Sequence, residues 1–380
     1  MAGIYVHVPF CQKKCLYCDF YSVANNREVV RYVKALKIEA QKRAYELGGM
    51  DIETIYFGGG TPSLLPHHYI GEIVGVLRSH YNVSPSAEIS FECNPGDVGK
   101  VDIEHLLSYG VNRFSIGAQS FHDRLLQKLG RRHSHQEIIG LFESLRQAGV
   151  NNISLDLIYS IPTEELKEIR EDLDQLVSLS PEHISTYDLI YEEGTPLYEM
   201  RSKGEINELS EEVSIEMAHT VRQVLTEAGY QHYEISNFAK PSFRSRHNSN
   251  YWSGVPYIGL GPSAHSYVAP WRSWNASSLP LYTDQLLTGA GFLSREIEYI
   301  TPEMEYEEYL LTRLRTAEGI SIAEMEKKNF AIPEKSLFRL VNEELLKQWG
   351  DRFALTDKGW DFADRVLLEL AMNDQTIAFL

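Results

Sequence analysis

Short apolar runs alternate with longer stretches in which apolar residues recur three and four positions apart, and this rhythm holds from residue 3 to about residue 190. Each run with the stretch after it reads as a strand and then a helix, and the repeat predicts a parallel sheet with helices outside it. Strands are predicted at 4–8, 54–57, 87–93, 113–116, 153–158 and 183–189, with intervening helices that include 27–46 and 164–177. Six such units fit an α/β fold, an open (β/α)6 partial barrel. Barrel chemistry sits on the loops at the C-terminal ends of the strands.

After about residue 190 the rhythm changes. Glu193-Gly194-Thr195-Pro196 marks a turn, and a helix is predicted over 210–229. From Thr301 the chain reads as mostly helical, with helices at 303–315, 321–327 and 334–347 and Leu310, Leu314, Leu340 and Leu345 at helical spacing. A further helix opens at Thr356, a suitable N-cap, and turns Trp360, Ala363, Val366, Leu367 and Leu370 inward. The expected organisation is a β/α core over 1–230, a barrel-completing segment over 231–300 and a C-terminal helical domain over 301–380.

Composition narrows the function classes. A chain of 380 residues with 43% hydrophobic content suits one large domain and a smaller one, because single cores stop growing near roughly 250–300 residues. No run of about 18 apolar residues occurs, so no membrane span is expected, although transient membrane contact is left open. The start, Met1-Ala2-Gly3-Ile4-Tyr5, lacks the basic and apolar regions of a secretory signal, and the expected location is the cytoplasm. A net charge of −17 speaks against nucleic-acid tracking, and with it against a tRNA-modifying role.

Three of the four cysteines, Cys11, Cys15 and Cys18, fall within eight residues. Thiolates at this density select iron-sulfur clusters, zinc or Cu(I). Zinc would need His7 or Cys93 as a fourth ligand, and an electron-transfer cluster also wants four cysteines. Three buried core thiols are the plain alternative, against which Lys13, Lys14 and Asp19 stand. The CxxxCxxC spacing fits a 4Fe-4S cube with one iron left open for a small ligand, and it resembles the cluster loop of radical S-adenosylmethionine (SAM) proteins.

Further motifs lie at other predicted strand ends. Gly58-Gly59-Gly60-Thr61-Pro62 follows the second strand, where missing side chains let backbone approach a ligand. Glu92 ends the third strand, Gln119 follows the fourth with Arg131 twelve residues on, and Asp156 lies in the fifth. Singly, such polar residues are more often solvated or capping groups. In order and spacing they resemble the oxygen-independent coproporphyrinogen III oxidase family of radical SAM proteins. That resemblance implies SAM contacts at Tyr5, Tyr17, Gly59, Gly60, Thr61, Glu92, Gln119, Arg131 and Asp156, and a winged-helix-like C-terminal domain whose acidic surface suits a protein partner. Cys93 reads as a core thiol.

His247-Asn248-Ser249-Asn250-Tyr251-Trp252 offers an imidazole, amides and two large aromatics, a set suited to a flat, metal-centred ligand or to ordinary packing. This HNxxYW motif resembles that of the HemW-type haem chaperones within the same family. Phe20 stands where the oxidase has a fourth cysteine, CxxxCxxCxC, and the chain begins only a few residues before its first strand. The resemblance implies haem near His247, Asn248, Tyr251 and Trp252, with His265 a second candidate ligand, and an apo haem protein, plausibly a respiratory one, as acceptor. The alternative is the oxygen-independent coproporphyrinogen III dehydrogenase of porphyrin biosynthesis. The expected assembly is a monomer or homodimer.

Overall fold

A computed structural model describes residues 1–24, 26–288 and 294–371. Residues 289–293 of the expected segment 231–300 and residues 372–380 of the expected C-terminal domain lie outside the described residues. All six predicted strands form: β1 (Ala2–Val8), β2 (Asp51–Gly59), β3 (Asn82–Cys93), β4 (Arg113–Gln119), β5 (Ile153–Tyr159) and β6 (His183–Asp188). They pair in parallel and in sequence order. The expected 27–46 helix is the helix Val29–Arg43 with a short 3-10 turn at each end. Its inward face, Val29, Tyr32, Val33, Leu36 and Ala40, repeats at three and four residues and packs on the sheet.

Residues 231–299, expected to complete the barrel, supply strands to both edges of this sheet. β7 (Gln231–Glu234) and β8 (Asn237–Ala239) extend it beyond β6, while β9 (Tyr257–Leu260), β10 (His265–Val268), β11 (Trp271–Asn275) and β12 (Arg295–Tyr299) extend it beyond β1. β9 is parallel to β1, with Tyr5 beside Gly259, and the added strands otherwise pair antiparallel. The principal hydrophobic core runs from Ala2 to Leu286 beneath this twelve-stranded sheet.

A second core gathers Tyr306, Leu310, Leu314, Leu337, Leu340, Val366 and Leu370. The region is mostly helical but includes a three-stranded antiparallel sheet of Ile320–Ser321, Arg352–Leu355 and Leu346–Trp349, consistent with a winged-helix-like fold. The helix expected over 334–347 therefore ends at Asn342. Glu344 adopts a left-handed φ of 61°, which breaks the helix, and Leu346 turns to pair with Leu355. This region docks on β7 through two backbone bonds, Ile235 N–H to Arg315 O at 2.9 Å and Ala317 N–H to Tyr233 O at 3.0 Å. Arg272 on β11 adds an ion pair to Glu308 at 2.7 Å, so the C-terminal helices roof the mouth of the barrel.

Candidate functional site

The loop after β1 carries the cysteines and is pinned along its length. Cys11 N–H donates to Val23 O at 3.1 Å and Val23 N–H donates to Pro9 O at 2.7 Å, closing its base. Its middle is held at Leu16, whose N–H donates to Leu129 O and whose carbonyl accepts from Leu197 N–H. Leu16 and Tyr17 rest on a small apolar cluster of Leu125, Leu129, Ile158, Ile161, Leu189 and Leu197. Cys11 is buried, while Cys15 and Cys18 are half-exposed between exposed Lys13 and Lys14 and exposed Asp19.

The three thiols face one cavity of about 200 Å³, which Tyr17, Gly60, Thr61 and Arg131 also line. Neither His7 nor Cys93 lines it. Cys93 is a core thiol, 3% exposed, that donates to Ser115 O at 3.6 Å. Among the described residues no three His, Cys, Asp or Glu side chains gather round a single-ion position. Three thiols around one cavity suit a cluster, in which each thiolate takes its own iron. Arg131 reaches Cys15 Sγ at 3.5 Å and Gly117 O at 2.7 Å, and it also bonds Asn94 Oδ1. Asn94 Nδ2 donates to Thr61 Oγ1 at 3.3 Å, and Thr61 Oγ1 lies 3.5 Å from Cys11 Sγ. Burial, reinforced by the neighbouring Cys15 and Cys11, pushes the Cys18 thiol up to about 11, against the opposing pull of the Phe20 backbone and Lys14. Bound iron reverses that balance, because a coordinating thiol is deprotonated outright.

The glycine run packs protein against protein. A Cβ on Gly60 would stand 2.7 Å from Phe10 O and 2.9 Å from Val8 O, and one on Gly59, at φ +108°, would meet the His7 ring at 2.5 Å. β2 can therefore close on the cysteine loop only without side chains here.

Seven of the nine residues expected around SAM line one of two cavities, and Gln119 and Asp156 line neither. Tyr17, Gly60, Thr61 and Arg131 line the cysteine cavity, whereas Tyr5, Gly59 and Glu92 line a neighbouring cavity of about 770 Å³ at the barrel mouth. Gln119, at φ +70°, turns its amide toward Gly117, where Arg131 and Asn94 also converge. Asp156 accepts from Ser115 Oγ at 3.2 Å, and burial raises its carboxyl. Burial likewise pushes the Glu92 carboxyl up to about 7, although the Tyr56 hydroxyl donates to it at 2.7 Å, with the charge of Asp156 adding to the rise. Asn94 and Tyr56, central to these contacts, were passed over in the sequence. The only signal for Asn94 was its place in the turn after Glu92.

The helix Arg246–Trp252 carries the HNxxYW motif along the larger cavity, which Asn248, Tyr251 and Trp252 line with Tyr257 and Tyr267. Ser245 caps it by accepting from Asn248 N–H, and Glu88 accepts from the N–H groups of Arg246 and His247. His247 is 1% exposed, stacks on Tyr56 and has both ring nitrogens engaged, Nδ1 with Thr54 Oγ1 at 2.8 Å and Nε2 with the Tyr251 hydroxyl at 2.9 Å. Burial lowers its basicity to about 3. His247 is thus a neutral pin between the motif helix and β2, and an iron ligand only if one of these bonds breaks. Phe20 is 67% exposed and borders the same cavity. Among the described residues no helix is long and apolar enough to cross a membrane.

A (β/α)6 core with CxxxCxxC after its first strand and glycines after its second defines a radical SAM protein, and the Radical SAM superfamily model matches residues 5–176. The chain is 36% identical over 333 residues to the heme chaperone HemW of Bacillus subtilis strain 168, covering 87% of this chain and 86% of that one. It is 38% identical over 271 residues to heme chaperone HemW of Escherichia coli K12, covering 70% of each. Within the superfamily, the chain belongs to the HemW haem-chaperone family. The solved structure of E. coli coproporphyrinogen III oxidase (HemN) superposes with a TM-score of 0.83 at 22% identity, covering 97% of this chain and 90% of that one, a likeness of fold.

Proposed function

We propose that this protein is a cytoplasmic haem chaperone, which binds haem and passes it to apo haem proteins from a radical SAM scaffold. The observation that carries the reading is the 770 Å³ cavity beside the cysteine cavity, walled by Tyr251, Trp252, Tyr257 and Tyr267. Its volume lies within the roughly 300–1,000 Å³ of cofactor-sized sites, and aromatic faces suit a flat macrocycle. The relatives named haem chaperones, aligned over most of their length, support the same reading.

Cys11, Cys15 and Cys18 would hold a 4Fe-4S cluster, and Tyr5, Tyr17, Gly59, Gly60, Thr61, Glu92, Gln119, Arg131 and Asp156 would surround SAM. Together these groups supply one-electron chemistry at the sulfonium of SAM. The protein's part is to orient and shield: Arg131 offers a cation for the SAM carboxylate, Glu92 and Asp156 offer acceptors for its ammonium and ribose hydroxyls, and the Leu16–Tyr17 anchor keeps the loop still. Asn248, Tyr251 and Trp252 would face the haem, and His247 would hold their helix in place. Coproporphyrinogen III dehydrogenation has less support, because Phe20 occupies the position of the oxidase's further cysteine.

The test is an anaerobic haem titration of the cluster-reconstituted protein, followed by transfer to an apo haem protein. Stoichiometric uptake and transfer are expected. Absence of specific uptake, together with turnover of coproporphyrinogen III in the presence of SAM and reductant, would replace this reading with the dehydrogenase.

A further inference from the structure

Three histidines line the larger cavity, His7, His247 and His265. An iron ligand needs an imidazole nitrogen whose lone pair is free. His7 Nε2 lies 2.8 Å from Tyr21 O, and because a carbonyl only accepts, Nε2 must carry the proton. Its lone pair is then on Nδ1, where the Tyr5 hydroxyl meets it at 3.1 Å. A neutral His247 has one donor and one acceptor nitrogen, and with hydroxyls on both, either tautomer leaves its lone pair occupied.

His265 is different. It is exposed to the cavity, and among the described residues neither ring nitrogen makes a hydrogen bond. One face of the ring stacks on Trp274, its partner across β10 and β11, with centroids 5.6 Å apart and planes 19° from parallel, which leaves the nitrogens on the ring edge free. The backbone on either side is fixed: Asn275 N–H donates to Ala264 O at 3.0 Å, and Ser266 Oγ is held by Gly259 N–H and Arg43, both at 2.9 Å. This is a pre-oriented imidazole whose ring nitrogens have no protein partner among the described residues.

We propose that His265 is the protein ligand to haem iron, seating the porphyrin against Tyr251, Tyr257 and Tyr267 with Arg272 and Lys328 as partners for its propionates. The assignment rests on the haem reading above. Arg272 and Lys328 line the cavity; Arg272 pairs with both Glu298 and Glu308 at 2.7 Å, and Lys328 pairs with Glu305 at 2.6 Å. A propionate can replace Glu308 or Glu305 like for like, one carboxylate for another on the same cation. Burial and the nearby Arg272 lower the basicity of His265, which favours the neutral, ligating form of the ring.

The experiment compares haem absorption and electron paramagnetic resonance spectra of the full chain with those of His265→Ala, His265→Met and His247→Gln. The expected result is that His265→Ala loses the histidine-ligated spectrum and binds haem roughly tenfold or more weakly, that free imidazole restores the spectrum, and that His265→Met shows a thioether-ligated haem. His247→Gln keeps the histidine signature. An unchanged spectrum in both His265 variants overturns the assignment while leaving the haem reading intact. A wild-type chain that takes up no haem overturns both.

Discussion

Thr54 Oγ1 and His247 Nδ1 meet at 2.8 Å although 193 positions separate them in the chain. This contact joins the helix of the HNxxYW motif to the second barrel strand, and the Tyr251 hydroxyl completes it on the other nitrogen. It makes the motif's histidine an architectural residue whose loss affects the cavity wall first.

His247→Ala would strip partners from two hydroxyls and open a void against Tyr56. The expected cost is about 2–4 kcal/mol in urea unfolding. A smaller cost is expected for His247→Gln, which keeps polar atoms in the site.

Replacing any one of Cys11, Cys15 or Cys18 with alanine should lower iron and sulfide incorporation after anaerobic reconstitution by roughly tenfold or more. Cys93→Ala should incorporate both normally and lose only about 1 kcal/mol of stability, because its thiol is packed in the core away from the cysteine cavity. Equal iron loss in all four variants would sink the assignment of the ligands.

Gly60→Ala pushes a methyl group against the backbone carbonyls of Val8, at the end of β1, and Phe10, at the start of the cysteine loop, which cannot step aside as a side chain can. A loss of about 1–3 kcal/mol is expected, with reduced iron content, since the loop must move away from β2. Iron content equal to wild type would show that the loop tolerates the displacement.

Glu39 is a buried carboxylate that accepts from Arg43, Asn275, the Tyr282 hydroxyl and Gly261 N–H at 2.6–2.9 Å. It ties the first helix to the turn that precedes His265. Glu39→Ala leaves Arg43 buried with only Glu46 as an ion partner, and a loss of about 3–5 kcal/mol is expected by calorimetry or denaturant titration.

Glu92 sets a pH dependence with a definite sign. Its carboxyl titrates near 7 in the folded protein, against roughly 4.3 in an unfolded chain. Between those values the unfolded state has lost a proton that the folded state keeps, so this group's contribution is complete below about pH 4 and declines as pH rises to 7. Glu92→Gln removes the decline. Relative to wild type, the variant should gain roughly 1–3 kcal/mol between pH 4.5 and pH 8. A constant difference across that range in urea unfolding would count against a raised Glu92.

Much of the architecture was legible without coordinates. Each of the six barrel strands is announced by its own apolar run, and the helices expected over 27–46 and 164–177 by their own spacing, because both signals are local and depend only on which side chains must leave water. The cysteine spacing and the glycine run were legible for the same reason: the residues that share a loop are neighbours in the chain. The helix expected over 334–347 failed at a local conflict, since Glu344 in a left-handed conformation and the pairing of Leu346 with Leu355 outweighed helical periodicity.

The order of residues along the chain therefore sets the elements, their succession, and the cysteines and glycines placed at strand ends. Packing in three dimensions decided which edge of the sheet takes each strand of 231–299, that seven of the nine residues expected around SAM are split between two cavities, and which histidine has its nitrogens free. Those outcomes depend on side chains brought together from distant positions, Thr54 on His247 and Trp274 behind His265. A residue's type states what bonds it can make, and only the packed fold states which of them are already taken.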